Sequence, residues 1–223
     1  MQRRQIDVGG IHIKVLDLFS GTRSIAKAFE RRGHETYTIE LDKTHPNISW
    51  YADILDVTSE DIIERFGHPD VIWASPPCTS YSIAAISHHR TKEPNGNLAP
   101  KSDFAKLSDK LVIHTLKLID ELSPKFWFVE NPRGGMRKMS FMNGRPRYTV
   151  TYCQYGDTRM KPTDIWSNHP NPRFKAMCHN GDPCHEAAPR GAKTGTQGLK
   201  GAIDRSVIPG GLCDHIVEIC EHP

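Results

Sequence analysis

The chain has 223 residues, with 29 Lys plus Arg against 26 Asp plus Glu and a formal charge of +3. That length suffices for one domain with a substantial core, and a balance this mildly basic excludes a histone-like polycation without naming a partner. No apolar run approaches the roughly 18 to 20 residues that a membrane span requires. The start, Met-Gln-Arg-Arg-Gln, shows no apolar leader, so the six cysteines are expected to be reduced thiols of a soluble, cytoplasmic protein.

Ile11 to Phe19 is rich in Ile, Val and Leu and ends at Ser20-Gly21-Thr22, and Ser24 to Arg32 then carries Ile25, Ala28 and Phe29 at helical spacing. This predicts strand, tight turn and helix. Gly33-His34 stops the helix, Glu35 to Ile39 forms a second strand with Glu40-Leu41-Asp42 at its end, and Asp53-Ile54 lies in a connection. Ser59 to Phe66 opens with a serine and two acids and is predicted helical. Pro69 to Ala74 is a buried strand that delivers Pro76-Pro77-Cys78. Such alternation predicts an α/β fold, a mostly parallel central sheet with helices on both faces.

Ser87 to Ser102 is polar and reads as a loop beside Cys78. A helix is predicted from about Ser108 to Leu122, ended by Pro124. Phe126-Trp127-Phe128-Val129 is a strongly apolar strand terminating in Glu130-Asn131-Pro132. From Gly134 to Arg147 the chain is basic and glycine-bearing. Tyr148 to Tyr152 and Thr163 to Trp166 read as strands, residues 168–201 as a small irregular insertion rich in Pro, Gly, Cys and His, and the last helix begins near Pro209.

Cys78 stands out because two prolines fix their own φ and push the preceding residues into extended conformations, holding the sulfur stiffly at a strand end. That suits a nucleophile. The competing reading is a small buried residue, since free cysteine is often only that. A thiolate needs local positive character, for which Arg90, Lys92 and the following helix terminus are candidates. A carboxyl, Glu130, at the end of another apolar strand fits the rule that ligands lie at the carboxyl edge of an open α/β sheet.

In order, Asp17-Leu18-Phe19-Ser20-Gly21, Glu40, Asp53, Pro76-Pro77-Cys78, Glu130-Asn131, Tyr155-Gly156 and Arg205-Ser206-Val207-Ile208-Pro209 with Leu212 resemble the motifs of C5-cytosine-specific DNA methyltransferases. The resemblance implies a Rossmann-like S-adenosylmethionine-dependent fold in a single methyltransferase domain. It casts Cys78 as nucleophile, Glu130 as the acid that binds the cytosine ring, and Asn131 and Arg159 as further catalytic residues. Asp17, Phe19, Gly21, Glu40, Leu41, Asp53, Ile54 and Pro76 are implied cofactor contacts. Arg23 and Ser24 stand where glycines are usual, and Arg159, Lys161 and Thr163 replace a Gln and two Arg. The large target-recognition domain is absent, as in compact phage or restriction-modification relatives, leaving residues 168–201 as a reduced element.

The chemistry follows from the residues. C5 of cytosine is a poor nucleophile, and addition of a thiolate at C6 makes it enamine-like and able to take an electrophilic methyl group. Glu130 could bond N3 and the amino group, and to donate at N3 it must carry a proton. A base within a duplex must be extruded first. Ser82, His88, Arg90, Lys92, Arg133 and Arg137 are candidate contacts to DNA. Alternatives are C5-pyrimidine modification of RNA or a free nucleotide, or a catalytically weak binder of DNA or cofactor. The expected state is a monomer, or one with a partner supplying sequence recognition.

Cys178-His179 and Cys184-His185 offer zinc's preferred ligands without the spacing of a standard finger or ribbon. A structural zinc would take Cys178, Cys184, His185 and either His179 or Cys153. The competing role for this region is a miniature DNA-contact element around Arg190, Lys193, Thr194 and Gln197.

Overall fold

The computed structural model describes residues 10–187 and 201–223. Arg190, Lys193, Thr194 and Gln197 lie outside the described residues. Strand β1 (Lys14–Leu18) is followed by α1 (Ser24–Arg31), β2 (Glu35–Glu40), β3 (Trp50–Tyr51), α2 (Ser59–Phe66) and β4 (Val71–Ala74). A short helix α3 (Ile86–His89) and a hairpin, β5 (Arg90–Lys92) and β6 (Leu98–Pro100), precede α4 (Asp103–Leu122) and β7 (Phe126–Pro132). Then come β8 (Arg147–Thr151), β9 (Pro162–Ser167), α5 (Ala202–Ser206) and α6 (Gly210–Glu221).

The main sheet has the order β3-β2-β1-β4-β7-β9-β8. Its first five strands are parallel, whereas β9 runs antiparallel to β7 and β8 antiparallel to β9. Alternate residues of the central strands supply two cores. Val15, Trp73, Phe126 and Phe128 pack with α1 and α6 through Ile25, Phe29, Leu212 and Ile216. Leu16, Ile72, Trp127 and Val129 pack on the other face with Ile62 of α2 and Val112, Leu116 and Ile119 of α4. Burial on both faces explains why Val71 to Ala74 is continuously apolar. It is the α/β arrangement that the alternation predicts and the Rossmann-like fold that the resemblance implies.

Three boundaries differ from the sequence reading. The stretch 87–102 contains α3 and the β5–β6 hairpin rather than loop alone. Helix α4 begins at Asp103, not Ser108, because the Ser102 side chain caps it by accepting from the Ala105 N–H at 3.1 Å. Phe104 and Leu107 in that first turn are exposed, so they do not fall on the buried stripe that defines the rest. Strand β7 continues past Val129 through Pro132 because Glu130, Asn131 and Pro132 pair with Ile165, Asp164 and Thr163 of β9.

Asp164 is fully buried in that antiparallel edge and is held by a two-pronged bond from Arg137, with Thr149 donating at 2.7 Å. Removing one partner of a buried ion pair strands the other charge. Arg137→Met is therefore expected to cost ~3 to 5 kcal/mol, read as a lower urea midpoint. Asp164→Leu added to it should recover most of that loss; a single variant as stable as the parent would contradict the assignment.

Candidate active site

The carboxyl ends of β1, β4 and β7 open onto a cavity of about 440 Å³. Its wall contains Asp17, Phe19, Gly21, Pro76, Cys78, Ser82 and Glu130, joined by Lys161 and by Arg205, Ser206 and Ile208 from the C-terminal segment. Helix α6 brings that segment back by packing on α1, where Arg31 pairs with Asp214 and both Arg32 and His34 with Glu221.

The turn after β1 is built from left-handed residues, with φ of 56° at Phe19, 46° at Gly21 and 59° at Arg23. Glu40, at the end of the neighbouring strand β2, accepts from the Gly21 N–H at 2.9 Å and from the Leu41 and Asp42 N–H groups at 2.9 and 3.0 Å. Asp53 accepts from the Leu55 N–H at 3.0 Å and so caps the turn Ile54–Asp56. Leu41 is exposed, while Ile54 is buried in the core. Of the sequence-derived cofactor residues, Asp17, Phe19, Gly21 and Pro76 line the cavity and Glu40 holds Gly21 from behind, whereas Leu41, Asp53 and Ile54 are not wall residues. Asp17 is nearly inaccessible, and burial raises its pKa to about 8 against the opposing Ala26 N–H and Arg23 charge. Cationic groups arriving beside it would favour its ionised form.

Cys78 begins a tight turn in which its carbonyl accepts from the Tyr81 and Ser82 N–H groups at 3.0 and 2.9 Å. Asn131 donates from Nδ2 to the Pro76 carbonyl at 3.0 Å, so β7 braces the loop that carries the thiol. Burial, and next the charge of Glu130, push the Cys78 thiol up, while Lys161 and Arg205 oppose them. Those two cations, rather than Arg90 and Lys92, supply the local positive character. Glu130 is almost fully buried and accepts from the Tyr152 hydroxyl at 3.1 Å. Burial, reinforced by Glu130, holds the Tyr152 pKa well above its ordinary value, so this hydroxyl remains a donor. Burial also lowers the pKa of Lys161, with Glu130 opposing. Lys161 donates to the Arg205 carbonyl at 2.9 Å and lies 4.5 Å from the Tyr152 ring centroid.

Several basic residues have roles other than those the sequence suggested. Arg90 is buried and cannot meet a phosphate. Its guanidinium donates to the Ser80 carbonyl at 2.9 Å and grips both oxygens of Asp109, at 3.1 and 2.6 Å, over the face of Tyr81. The Tyr81 hydroxyl completes the knot by donating to Asp109 at 2.7 Å. Arg137 is likewise committed to Asp164. Arg159 is buried against Asp157 and is not a cavity-wall residue, whereas Lys161 is. His88, Lys92 and Arg133 are exposed, and Ser82 is at the cavity wall.

Tyr152 and Asp109 were not identified from sequence as parts of the working site; Arg205 was named within the C-terminal motif and Lys161 among the altered positions, neither with a role beside Cys78. Tyr152 lies 22 residues from Glu130, and only the β7–β9–β8 pairing joins them. Lys161 carried a signal, since it occupies one of the altered positions after Tyr155-Gly156.

Residues 13–141 match the family described as C-5 cytosine-specific DNA methylase. The chain is 34% identical over 166 residues to a protein of Frog virus 3 (isolate Goorha) described as "Probable DNA (cytosine-5)-methyltransferase", covering 70% of this chain and 71% of that one. It is 30% identical over 135 residues to "Type II methyltransferase M.FnuDI" of Fusobacterium nucleatum, covering 56% of this chain but 34% of that enzyme. Among solved structures, the Entamoeba histolytica methyltransferase EhMeth superposes with a TM-score of 0.53 at 12% identity, covering 77% of this chain and 57% of that one. This last likeness concerns the fold alone.

Arg90→Lys keeps the charge but loses the planar fork. Loss of a charge-assisted hydrogen bond costs ~1.5 to 3 kcal/mol, so the Tyr81 and Ser82 amides are expected to exchange with solvent at least about tenfold faster in this variant. Unchanged exchange at both amides would show that Arg90 does not hold the loop.

Proposed function

Because the chain belongs to the C-5 cytosine-specific DNA methylase family, we propose that it transfers a methyl group from S-adenosylmethionine to C5 of cytosine in DNA through a transient bond between Cys78 and C6. The observation that carries this reading is the meeting of Cys78 and Glu130 on one cavity wall with the glycine turn after β1.

The cavity suits a nucleoside-sized donor, being within the roughly 300 to 1,000 Å³ of small-molecule sites. The turn Phe19–Gly21 offers close backbone approach, and Asp17 on the same wall is a buried carboxyl whose ionised form a cationic ligand would favour. Bound there, S-adenosylmethionine would supply an electrophilic methyl group.

Cys78 gives up its proton to solvent and forms the S–C6 bond, and the C5=C6 electron pair moves to C5, which would take the methyl group from the donor's sulfonium and leave a neutral thioether. Loss of the C5 proton to solvent supplies the electron pair that expels sulfur from C6, restoring the ring and releasing a thiolate that solvent reprotonates. Glu130, protonated and oriented by Tyr152, donates to N3 and accepts from the exocyclic amino group. A neutral Glu130 no longer opposes ionisation of Cys78, leaving the favourable influence of Lys161 and Arg205. Ring binding and thiolate formation are thereby coupled. Asn131 and the Arg90 knot hold the thiol while the base enters.

DNA contact in this reading falls to Ser82 at the cavity mouth and to exposed His88, Lys92 and Arg133, with residues 168–201 as the reduced recognition element of a single methyltransferase unit. Among the described residues no helix is long and apolar enough to cross a membrane.

Incubation with labelled S-adenosylmethionine and separate DNA, RNA or dCMP, followed by nucleoside mass spectrometry, should place the label on C5 of cytosine in DNA. Glu130→Gln should lower turnover at least about 100-fold with cofactor affinity retained. Label on adenine N6 or cytosine N4, label confined to RNA or dCMP, binding without transfer, or near-normal turnover in the variant would each overturn the proposal.

A further inference from the structure

Outside the cavity, Cys153, Cys178, Cys184 and His185 bring four ligand atoms within 4.8 Å of one another. The Cys184 and Cys153 sulfurs are 3.6 Å apart, and His185 Nδ1 lies 3.7 Å from both Cys178 Sγ and Cys184 Sγ. Zinc bound tetrahedrally at its usual Zn–S and Zn–N distances spaces sulfur from sulfur by about 3.8 Å and sulfur from nitrogen by about 3.6 Å. Three edges of the cluster therefore already have the size of a metal's coordination shell. Of the other three edges, Cys153 to Cys178 is 3.1 Å, shorter than the zinc spacing but well beyond the ~2.05 Å of a disulfide bond, and the remaining two are within 4.8 Å.

The surroundings favour ligation over mere core packing. The Gln154 side-chain amide donates to Cys184 Sγ at 3.5 Å, and the Cys178 N–H to Thr151 Oγ1 at 3.0 Å, supporting bonds that hold the sulfur of the one and the backbone of the other in place. Residues 168–187 contain no helix or strand, so no ladder holds them in place. A cross-link is the usual remedy for such a segment.

We propose that Cys153, Cys178, Cys184 and His185, the last through Nδ1, bind one structural zinc ion that staples residues 178–185 onto the turn Tyr152–Tyr155. Four protein ligands close the shell, which distinguishes a structural site from a catalytic one with an open position. His179, the other candidate fourth ligand from the sequence, is outside the cluster. Cys153 directly follows Tyr152, whose hydroxyl donates to Glu130. The staple thus stiffens the wall behind the ring-binding acid, and its existence does not depend on the reaction proposed for that acid.

The test uses the full chain without a polyhistidine tag, purified under reducing conditions. Elemental mass spectrometry should find about one zinc per chain, and Cys184→Ala should reduce it to background. Since that variant could misfold, Co²⁺ is also added to the chelator-stripped parent. Tetrahedral d–d bands with sulfur-to-cobalt charge transfer, displaced by zinc, are expected. Background zinc together with a silent cobalt titration, or a mapped Cys153–Cys178 disulfide in the freshly purified chain, would overturn the site.

Discussion

Leu18, Ala74 and Val129 lie side by side in one row of parallel pairing, and the residues that follow them in sequence meet at the same edge of the sheet. The glycine turn after β1, the proline-stiffened thiol after β4 and the carboxyl of β7 meet because three apolar strands share that register. A slip of one residue in β7 would turn Glu130 to the opposite face and bury its charge among apolar side chains. The continuous hydrophobicity of these strands, which lets both faces be covered, is thus also what fixes the chemistry at their ends.

Electrostatics within the cavity follow from that convergence. A thiol held beside a buried carboxylate resists ionisation, and the cations placed against it come from the β9 approach and the C-terminal segment, two parts of the chain far from Cys78 in sequence. Tyr152, kept a donor by its own burial, ties the acid to β8. Arg90 and Asp109 hold the turn after Cys78 from the other side. The loop is therefore fixed by one buried charge pair rather than by apolar packing alone.

Much of this was legible in the sequence, for identifiable reasons. Periodicity and turn residues located β1, β2, β4 and β7 of the parallel half, though not the two-residue β3, and predicted the α2 limits, Ser59 to Phe66, because capping and burial there are local. Cys78 and Glu130 were legible as strand-end chemistry, and Asp17, Gly21 and Pro76 through the family resemblance; all five line the cavity. What sequence could not show was pairing across distance. Arg90 and Arg137 look like surface cations until Asp109 and Asp164 are seen beside them, and the antiparallel extension of β7 depends on a partner some 30 residues downstream. Cys153 was one of two candidates to complete the Cys/His set, and only the path of residues 168–187 around the turn at Tyr152 selects it.

The central claim is that Cys78 bonds covalently to C6 of the target base. The most direct measurement is peptide mapping by mass spectrometry after incubation with S-adenosylmethionine and DNA containing 5-fluorocytosine, whose C5 fluorine cannot leave as a proton. The account predicts a stable protein–DNA adduct at the peptide bearing Cys78, lost in Cys78→Ser. Active protein that methylates ordinary DNA yet is never trapped, or a trapped peptide lacking Cys78, would contradict it.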